Sequence, residues 1–482
     1  MRRLLAGLAV FAGLTGVIIV LPVSGSSGPE PVPVETSTHE LALGSFATPA
    51  PGVELRPATT VPVSGVPEGS PVLTLSRSDT RDFSLVGVTW AYDPAVTDTV
   101  VQVRTRGENG EWGAWTEVET EDADVRAPAE GVRGGTAPLW TGPSTGVQAE
   151  VVTRSGAQPV DVRLNLVDPG SSPADAALGP ADIQDTADAS TAMPHVYSRA
   201  QWGADERIMG WTPQYASTIK AATLHHTAGS NNYTADQVPG ILRSTYSYHA
   251  QTLGWGDIGY NVLVDKFGRI WEGRSGGLAS TVVGAHAGGF NTSTFGVSMM
   301  GNYDVVDTPQ PMVDAVASII AWKFALYGVD PRGSTTLTSG GTDKFSAGTA
   351  VRLPTIFGHR DTKSTACPGR YGYARMGEIR DRVSATLGTV VPLIQQRYQS
   401  DSGVRSALGA MTSSPTKTPD GVGAYAHYER GSIYASYRTS PHVLRGPIRD
   451  RWAAAGWERG ALGYPVGDTT CGLRDGGCFQ HF

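Results

Sequence analysis

Cysteine and histidine are scarce in this sequence, with only 3 Cys and 10 His over 482 residues. Charged residues make up only 17% of the chain, and no run of basic residues occurs. The missing basic run and the net charge of −7 argue against nucleic acid as a partner. Glycine and proline are abundant, at 60 and 32 residues, so we expect loops and β-rich modules rather than a helical bundle. A chain of this length predicts several domains.

The first 25 residues predict export. Met1-Arg2-Arg3 supplies a charged start, and the apolar run 4–23 ends at small residues typical of a cleavage site. The run is also long enough to remain in the membrane, so residues 1–25 are either a signal peptide or a membrane anchor. No cysteine follows in a position for lipid attachment, which argues against a lipoprotein. We therefore expect a secreted or cell-wall-associated protein.

Composition and periodicity divide residues 26–194 into three parts. Residues 26–71 are rich in Pro, Ser and Thr without a helical or strand period, which predicts an extended linker. Over 72–167, short apolar or alternating runs between turn residues predict a β-sandwich-like module. Within it, Trp112 and Trp115 either pack in the core or face a sugar. Residues 168–194 are rich in Pro, Ala, Asp and Ser and predict a second linker.

Residues 195–390 predict an α/β domain with a mixed central sheet and flanking helices. Apolar residues at helical spacing begin after Pro311 and stop at Gly328, which predicts one clear helix. Strands are expected at 221–224, 260–264 and 295–300. The predicted fold class is therefore multidomain, with a sandwich, an α/β domain and a small C-terminal module.

The C-terminal region 397–482 repeats itself. Ala407-Leu-Gly409 recurs 54 positions later as Ala461-Leu-Gly463. A repeat of this length predicts modules that stack on their neighbours. The second copy ends earlier than the first. Either this last unit is trimmed and closed by a Cys471–Cys478 bridge, or the sequence is incomplete.

The three cysteines have different expected roles. Cys471 and Cys478 lie seven positions apart around a turn-forming sequence, so we expect a local disulfide in an oxidising compartment. Cys367 is then left without a cysteine partner. A metal ion is a natural use for it, because a bound thiolate is protected from stray disulfides.

Cys367 follows His359 closely, and the adjacent histidines His225 and His226 lie far upstream. Zinc prefers nitrogen and sulfur ligands, and a catalytic site uses three of them and leaves a fourth position for water. Side chains alternate across a strand, so only one of the two upstream histidines can reach the ion. A structural zinc would need a fourth protein ligand, and neither His226 nor His286 has the spacing of one.

Six short motifs in residues 195–390 carry a family resemblance. They are Leu224-His-His-Thr-Ala228, Gly254-Trp-Gly-Asp-Ile-Gly-Tyr-Asn261, Ile270-Trp-Glu-Gly-Arg274, Gly284-Ala-His-Ala287, Phe295-Gly-Val-Ser-Met-Met-Gly301 and Gly358-His-Arg-Asp361 with Thr365-Ala-Cys-Pro-Gly369. In this order they resemble a peptidoglycan recognition protein domain, which is related to the zinc N-acetylmuramoyl-L-alanine amidases. The tail, with Leu462-Gly-Tyr-Pro465, resembles the LGFP repeats of cell-wall-associated proteins.

The resemblance implies a zinc site and catalytic residues. It places the zinc ligands at His225, His359 and Cys367. It also matches Tyr260 to the family's catalytic tyrosine and Thr365 to a position that holds Thr or Lys in active relatives. The more distant cytoplasmic amidases carry a glutamate general base at the position of Ser298, so that carboxylate is missing here. His249 is expected to be a packed histidine without a role.

The resemblance also implies substrate contacts. Gly254, Trp255 and Arg274 lie at positions that go with meso-diaminopimelate stem peptides, because a guanidinium binds the additional carboxylate with two hydrogen bonds. The alternative is that Arg274 pairs with an internal acid near Glu272. His286 is expected to line the groove.

The expected function is that of an exported, zinc-dependent N-acetylmuramoyl-L-alanine amidase. This hydrolase would contact the glycan strand and the stem peptide of peptidoglycan and cleave the lactyl–L-Ala amide, while the repeats bind a cell-wall polymer. The alternative is a non-catalytic peptidoglycan-binding cell-wall protein, since many recognition domains keep the groove and lose the metal. The complete ligand set favours catalysis. A wall protein in which the repeats carry the function is a third interpretation.

Overall fold

The computed structural model describes most of the chain, namely residues 30–58, 65–121, 131–179, 193–388, 390–420, 422–436, 439–473 and 476–482. The expected signal or anchor segment, 1–25, lies outside the described residues. In the part of the chain that the structure describes, no helix combines the length and the apolar character needed to cross a bilayer.

A ten-stranded antiparallel sheet whose strands pack around a common core forms the N-terminal part of the structure, and we call this β-sandwich-like module the sandwich. Its strands are β1 Ser37–Gly44, β2 Val53–Pro57, β3 Pro71–Arg77, β4 Phe83–Ala91, β5 Asp98–Gly107, β6 Thr116–Val118, β7 Thr120–Glu121, β8 Arg133–Thr136, β9 Leu139–Ser155 and β10 Val162–Asp168. The strand order is β1-β10-β4-β9-β3-β2. In addition, β5 pairs with β9, and β8 pairs with β4. Aliphatic side chains such as Leu73, Val86, Val101 and Leu164 fill the core.

The sandwich begins earlier than the sequence predicts. Strands β1 and β2 lie within residues 26–71, which we expected to be a linker, and β1 pairs with β10 so that Leu41 faces Leu164. β1 is an edge strand whose large apolar residues are Leu41 and Leu43 alone, with Ala42 between them and polar residues before them. This short alternation is too weak to stand out in a Pro- and Ser-rich segment, and the linker prediction is corrected accordingly.

The central domain is built on a mixed sheet. Its strands are β11 Val196–Tyr197, β12 Ala221–His226, β13 Val262–Val264, β14 Ile270–Glu272, β15 Thr294–Met299 and β18 Ile356–Gly358. A separate hairpin of β16 Ser334–Thr338 and β17 Ala350–Pro354 precedes β18. The sheet order is β11-β14-β13-β15-β12-β18. The helices of this domain are α1 Val238–Ser247, α2 Gln310–Tyr327, α3 Arg370–Ala374 and α4 Met376–Gly388.

The predicted α/β architecture of the central domain is confirmed. Helix α2 begins with Pro311 in its first turn and ends at Gly328, which has φ of 64° in the left-handed region. The three strands expected at 221–224, 260–264 and 295–300 correspond to β12, β13 and β15.

The C-terminal module continues from the central domain without a break in the buried core. Its elements are α5 Val390–Ser400, α6 Ser402–Leu408, β19 Thr416–Lys417, β20 Gly423–Tyr428, β21 Gly431–Ser436, β22 Thr439–Arg445, α7 Gly446–Ala454, β23 Thr470–Cys471 and β24 Cys478–Phe479. Ile433 and Val443 of its sheet belong to the same buried cluster as Phe324 of α2. Cys471 and Cys478 form a disulfide with a Cα–Cα distance of 4.1 Å.

The sandwich and the central domain also share a core. Leu85 and Trp140 of the sandwich belong to one buried cluster with Tyr246 and Leu253 of the central domain. Tyr248 donates a hydrogen bond to the carbonyl of Thr136 at 3.0 Å. These contacts hold the sandwich against the edge of the central domain that carries the candidate site.

The second expected linker, 168–194, is likewise anchored where the structure describes it. Arg243 of α1 donates to the carbonyl of Pro169 at 3.0 Å and to the carboxylate of Asp175 at 2.8 and 2.9 Å. Arg243 is almost fully buried, so this ion pair lies in the domain interface. The polar composition of 168–194 therefore predicted a linker, whereas its described part packs on α1 through backbone carbonyls and the carboxylate of Asp175.

A glycine on β4 makes the domain interface possible, and replacing it should weaken the fold. A Cβ atom at Gly87 would lie 2.3 Å from the ring of Tyr248, so we expect Gly87→Ala to lower the free energy of unfolding by about 1–3 kcal/mol through overpacking. Gly113→Ala is the matched control, because a Cβ there meets only one carbonyl oxygen at 3.5 Å. Chemical denaturation followed by circular dichroism measures both variants, and equal stabilities would contradict the interface described.

Candidate metal centre

Two parallel strands bring two histidines to the same edge of the central sheet. β12 pairs with β18 in parallel register, with Leu224 opposite Gly358. The residues that follow this pair are His225, still on β12, and His359, just after the end of β18, so the pairing places the two imidazoles side by side with ring centroids 4.6 Å apart. The strand register therefore fixes the first two members of the site.

Cys367 completes the cluster by folding back over His359. The chain makes a single 3₁₀ turn at His359–Asp361 and returns, and the N–H of Arg360 donates to the carbonyl of Cys367 at 2.9 Å. The Cys367 sulfur then lies 3.6 Å from Nδ1 of His225. One ligand atom from each of His225, His359 and Cys367 lies within 4.8 Å of the others, and among the described residues no fourth His, Cys, Asp or Glu joins this group.

The donor set fits zinc. Two imidazole nitrogens and one thiol sulfur are ligands that zinc prefers, and three protein ligands leave one position open. Burial, with the neighbouring His359, lowers the pKa of His225, and burial with Lys363 lowers the pKa of His359, so both rings are neutral and able to coordinate. Burial and the carboxylate of Glu119 raise the pKa of the Cys367 thiol, an effect that a bound dication opposes.

The two adjacent histidines leave the strand in different directions and have different partners. His225 belongs to the cluster, whereas Nδ1 of His226 accepts a hydrogen bond from the N–H of Tyr303 at 3.2 Å. Nε2 of His226 lies 3.3 Å from a carboxylate oxygen of Glu119. The structure therefore selects His225 for the cluster, which spacing alone leaves open.

His286 contacts the ring nitrogen of His225 that faces away from Cys367. Its Nδ1 lies 3.0 Å from Nε2 of His225, so the ring orients the ligand through its second nitrogen. Gly296 on β15 makes room for it, because a Cβ atom there would lie 2.3 Å from the imidazole. His286 is expected from the sequence to line the groove; it does so, and it also positions His225. The glycine between Phe295 and Val297 is the sequence signal that marks this close approach.

Tyr260 and Thr365 both line the cavity at the cluster. The ring of Tyr260 has its centroid 5.5 Å from that of His225, and the side chain is only 4% exposed. Burial, together with the carboxylate of Glu121, raises the pKa of Tyr260 well above its usual value, so the phenol remains a proton donor at neutral pH. Thr365 accepts a hydrogen bond from the N–H of Cys367 at 3.1 Å.

Two glutamates of the sandwich reach into this centre. Tyr260 donates to Glu121 at 3.1 Å, and Thr365 donates to Glu119 at 3.4 Å. Nε2 of His249, to which the sequence assigns no role, lies 3.5 Å from Glu121. No sequence signal marks the two glutamates, because they lie 139 and 246 positions from the side chains they contact.

The cavity around the cluster is small. Its volume is about 30 Å³, and its walls include the three cluster residues, Tyr260, Trp255 and the Glu119–Glu121 segment of the sandwich. A larger cleft of about 680 Å³ adjoins it, with Trp115, Asn231 and Asp304 among its lining residues. The guanidinium of Arg104 lies over Trp115 at 4.9 Å, so one face of that indole is covered by a cation.

The expected substrate residues occupy different environments. Trp255 lines the small cavity and lies against His249 with ring centroids 4.6 Å apart. Gly254 has φ of 75° and approaches the carbonyl of Gly131 closely. Arg274 is 4% exposed, lies over Trp211 at 3.6 Å and donates to a backbone carbonyl. It is not part of the wall of the small cavity, although its charge contributes to the lowered pKa of His286, for which burial is the larger cause.

Three family models match separate parts of the chain. The first, described as Rv3811 N-terminal galactose-binding domain-like, matches residues 46–177. The second, N-acetylmuramoyl-L-alanine amidase, matches residues 215–370. The third, LGFP repeat, matches residues 408–460. The chain is thus a galactose-binding-like domain followed by an amidase domain and LGFP repeats.

Known proteins similar to the chain are peptidoglycan recognition proteins. Protein SC1a/b of Drosophila simulans is 33% identical over 178 residues, which are 37% of this chain and 81% of that protein. Protein LB of Drosophila melanogaster is 27% identical over 210 residues, which are 42% of this chain and 79% of that protein. Among solved structures, Drosophila PGRP-LB is 24% identical with a TM-score of 0.30, covering 38% of this chain and 92% of that one. The amidase LysC from Clostridium intestinale is 20% identical with a TM-score of 0.28, covering 40% and 99%.

Proposed function

The chain belongs to the peptidoglycan-recognition protein family, and from this we propose that it is an exported, zinc-dependent N-acetylmuramoyl-L-alanine amidase. It would hydrolyse the amide between the lactyl group of the glycan strand and L-Ala of the stem peptide. The observation that carries the proposal is the convergence of His225, His359 and Cys367 with three ligand atoms within 4.8 Å of one another. Binding of peptidoglycan without cleavage is the alternative, and a domain that kept the groove alone would not need this complete set.

The residues around the cluster support hydrolysis of an amide. Zinc bound by the three ligands would supply Lewis-acid chemistry, activating water and polarising the scissile carbonyl. Tyr260, protonated at neutral pH, is the donor for the oxygen that gains negative charge, and Thr365 is a second donor beside it. His286 holds the ring of His225 in its orientation. The leaving amine takes up the proton that the attacking water loses.

We further propose a preference for stem peptides with meso-diaminopimelate. The support is Arg274, whose guanidinium lies close enough to the centre to influence His286, and Trp255 in the cavity wall. A guanidinium binds a carboxylate with two parallel hydrogen bonds, and a lysine-type stem lacks that carboxylate. The LGFP repeats would keep the enzyme at the cell wall by binding a wall polymer.

Zinc content tests the metal part of the proposal. We expect about one zinc per chain, and we expect Cys367→Ser to weaken zinc binding by at least about a hundredfold, since even partners outside the first ligand shell contribute ten- to a hundredfold. His226→Gln is the control that should retain zinc, because His226 is not one of the three cluster residues and its Nδ1 accepts a hydrogen bond from the N–H of Tyr303. Elemental analysis of the purified variants measures this, and zinc retained by Cys367→Ser would contradict the ligand assignment.

Loss of the Tyr260 hydroxyl tests the chemistry. Tyr260→Phe should lower the rate of release of stem peptides by about a hundredfold while leaving zinc bound, because one donor to the developing oxyanion is lost. Mass spectrometry of products from purified sacculi measures the release. Zinc-loaded wild-type protein that binds sacculi but releases no stem peptides would favour the non-catalytic alternative.

Substrate preference is tested with matched muropeptides. Arg274→Ala should lower kcat/KM for the meso-diaminopimelate form by about tenfold and leave the lysine form unchanged. Arg332→Ala, at an exposed arginine paired with Asp381, is the control. An equal loss on both substrates would indicate that Arg274 supports the fold through Trp211 rather than selecting the stem.

A further inference from the structure

The sandwich places two carboxylates inside the candidate catalytic groove. Glu119 and Glu121 flank Thr120 at the start of β7, and the side chains of the two glutamates are only 27% and 17% exposed. Because residues alternate along a strand, both side chains point the same way, towards the cluster of His225, His359 and Cys367. We refer to residues 119–121 as the acidic segment.

The acidic segment contacts both proposed oxyanion donors and two neighbouring histidines. Glu121 accepts from Tyr260 at 3.1 Å and lies 3.5 Å from His249. Glu119 accepts from Thr365 at 3.4 Å and lies 3.3 Å from His226. A hydroxyl that donates its one proton to a glutamate cannot donate it to a substrate oxygen. The two proposed oxyanion donors are therefore both engaged by the sandwich.

The acidic segment also fills the space that a substrate needs. With the segment in place, the cavity at the cluster measures about 30 Å³. That volume holds one or two water molecules, whereas ligand pockets commonly measure about 300–1,000 Å³. The lactyl–alanyl amide cannot reach the cluster while Glu119 and Glu121 form one wall of it.

We propose that the acidic segment is an intramolecular plug that holds the amidase domain in a closed, inactive state, an inference that rests on the proposed function. The plug accepts the hydrogen bonds of Tyr260 and Thr365 in place of the substrate, and it covers the three proposed zinc ligands. Activity then requires the plug to leave the groove.

The structure allows the plug to move without separating the domains. Among the described residues, β7 pairs with β8 at two positions, Thr120 with Thr136 and Glu121 with Gly135, and the N–H of Ala137 donates to the carbonyl of Glu119 at 2.7 Å. The sandwich as a whole is held elsewhere, through the buried cluster that contains Leu85 and Trp140. Opening of a two-residue strand is a local event of low cost, in contrast to exposure of a shared hydrophobic core. The closed and open states therefore differ in a short segment rather than in the docking of the domains.

The test uses the full chain and its single free thiol. Cys471 and Cys478 are joined in the disulfide, so Cys367 is the sole thiol and lies under the plug with 5% exposure. The rate at which DTNB labels Cys367 in the presence of a chelator reports access to the groove. Hydrolysis of a soluble disaccharide-peptide is measured separately on the zinc-loaded protein.

We expect E119A/E121A to raise both the labelling rate and kcat/KM by at least about tenfold, because the contacts of two charged groups are lost. E119Q/E121Q, which keeps the shape and removes the charge, should show a smaller increase in both. Glu117→Ala is the matched control on the preceding strand, since that side chain is half exposed and pairs with Arg154. Thermal unfolding of each variant verifies that the fold is retained.

The outcomes separate the plug from the proposed function. Faster labelling with no hydrolysis by any variant supports the plug and contradicts the amidase proposal. Unchanged labelling of E119A/E121A contradicts the plug. Faster labelling with slower hydrolysis also contradicts it, because the glutamates would then be part of the catalytic machinery.

Discussion

The parallel pairing of β12 with β18 is the constraint on which the site depends. Leu224 opposite Gly358 sets the register, and the following residues, His225 and His359, then lie side by side at the carboxyl edge of the sheet. A shift of one residue would turn one imidazole to the opposite face and break the cluster. Cys367 adds the third donor through a short return of the chain, so the geometry of three distant positions reduces to one strand register and one tight turn.

Much of this centre could be predicted from the sequence. The chemistry of His359 and Cys367 at short spacing indicated a metal site, and strand alternation required that only one of His225 and His226 belong to it. The apolar periodicity of helix α2 and its glycine stop were equally clear. These features are local in sequence or follow from a strong side-chain preference, which is why residue patterns are sufficient to find them.

What could not be predicted depends on contacts between distant segments. Glu119 and Glu121 lie in a different domain from Tyr260 and Thr365, and nothing in the residues around them indicates that they meet. The edge strand β1 has only two apolar residues on its buried side and resembled a linker. The hydrogen bond between His286 and His225 depends on the space left by Gly296. A glycine at position 296 can be interpreted in this way only when the arrangement of the sheet is known.

Both flanking modules pack against the central domain. The sandwich shares a buried cluster with it and reaches the cavity around His225, His359 and Cys367, while the C-terminal module extends the core around α2. X-ray absorption at the zinc edge of the purified full chain tests the central claim most directly. The account predicts one sulfur at about 2.3 Å and two imidazole nitrogens at about 2.0–2.1 Å, with the remaining position filled by an oxygen of water. A zinc held by four protein nitrogen or sulfur ligands, or by no sulfur, would contradict it.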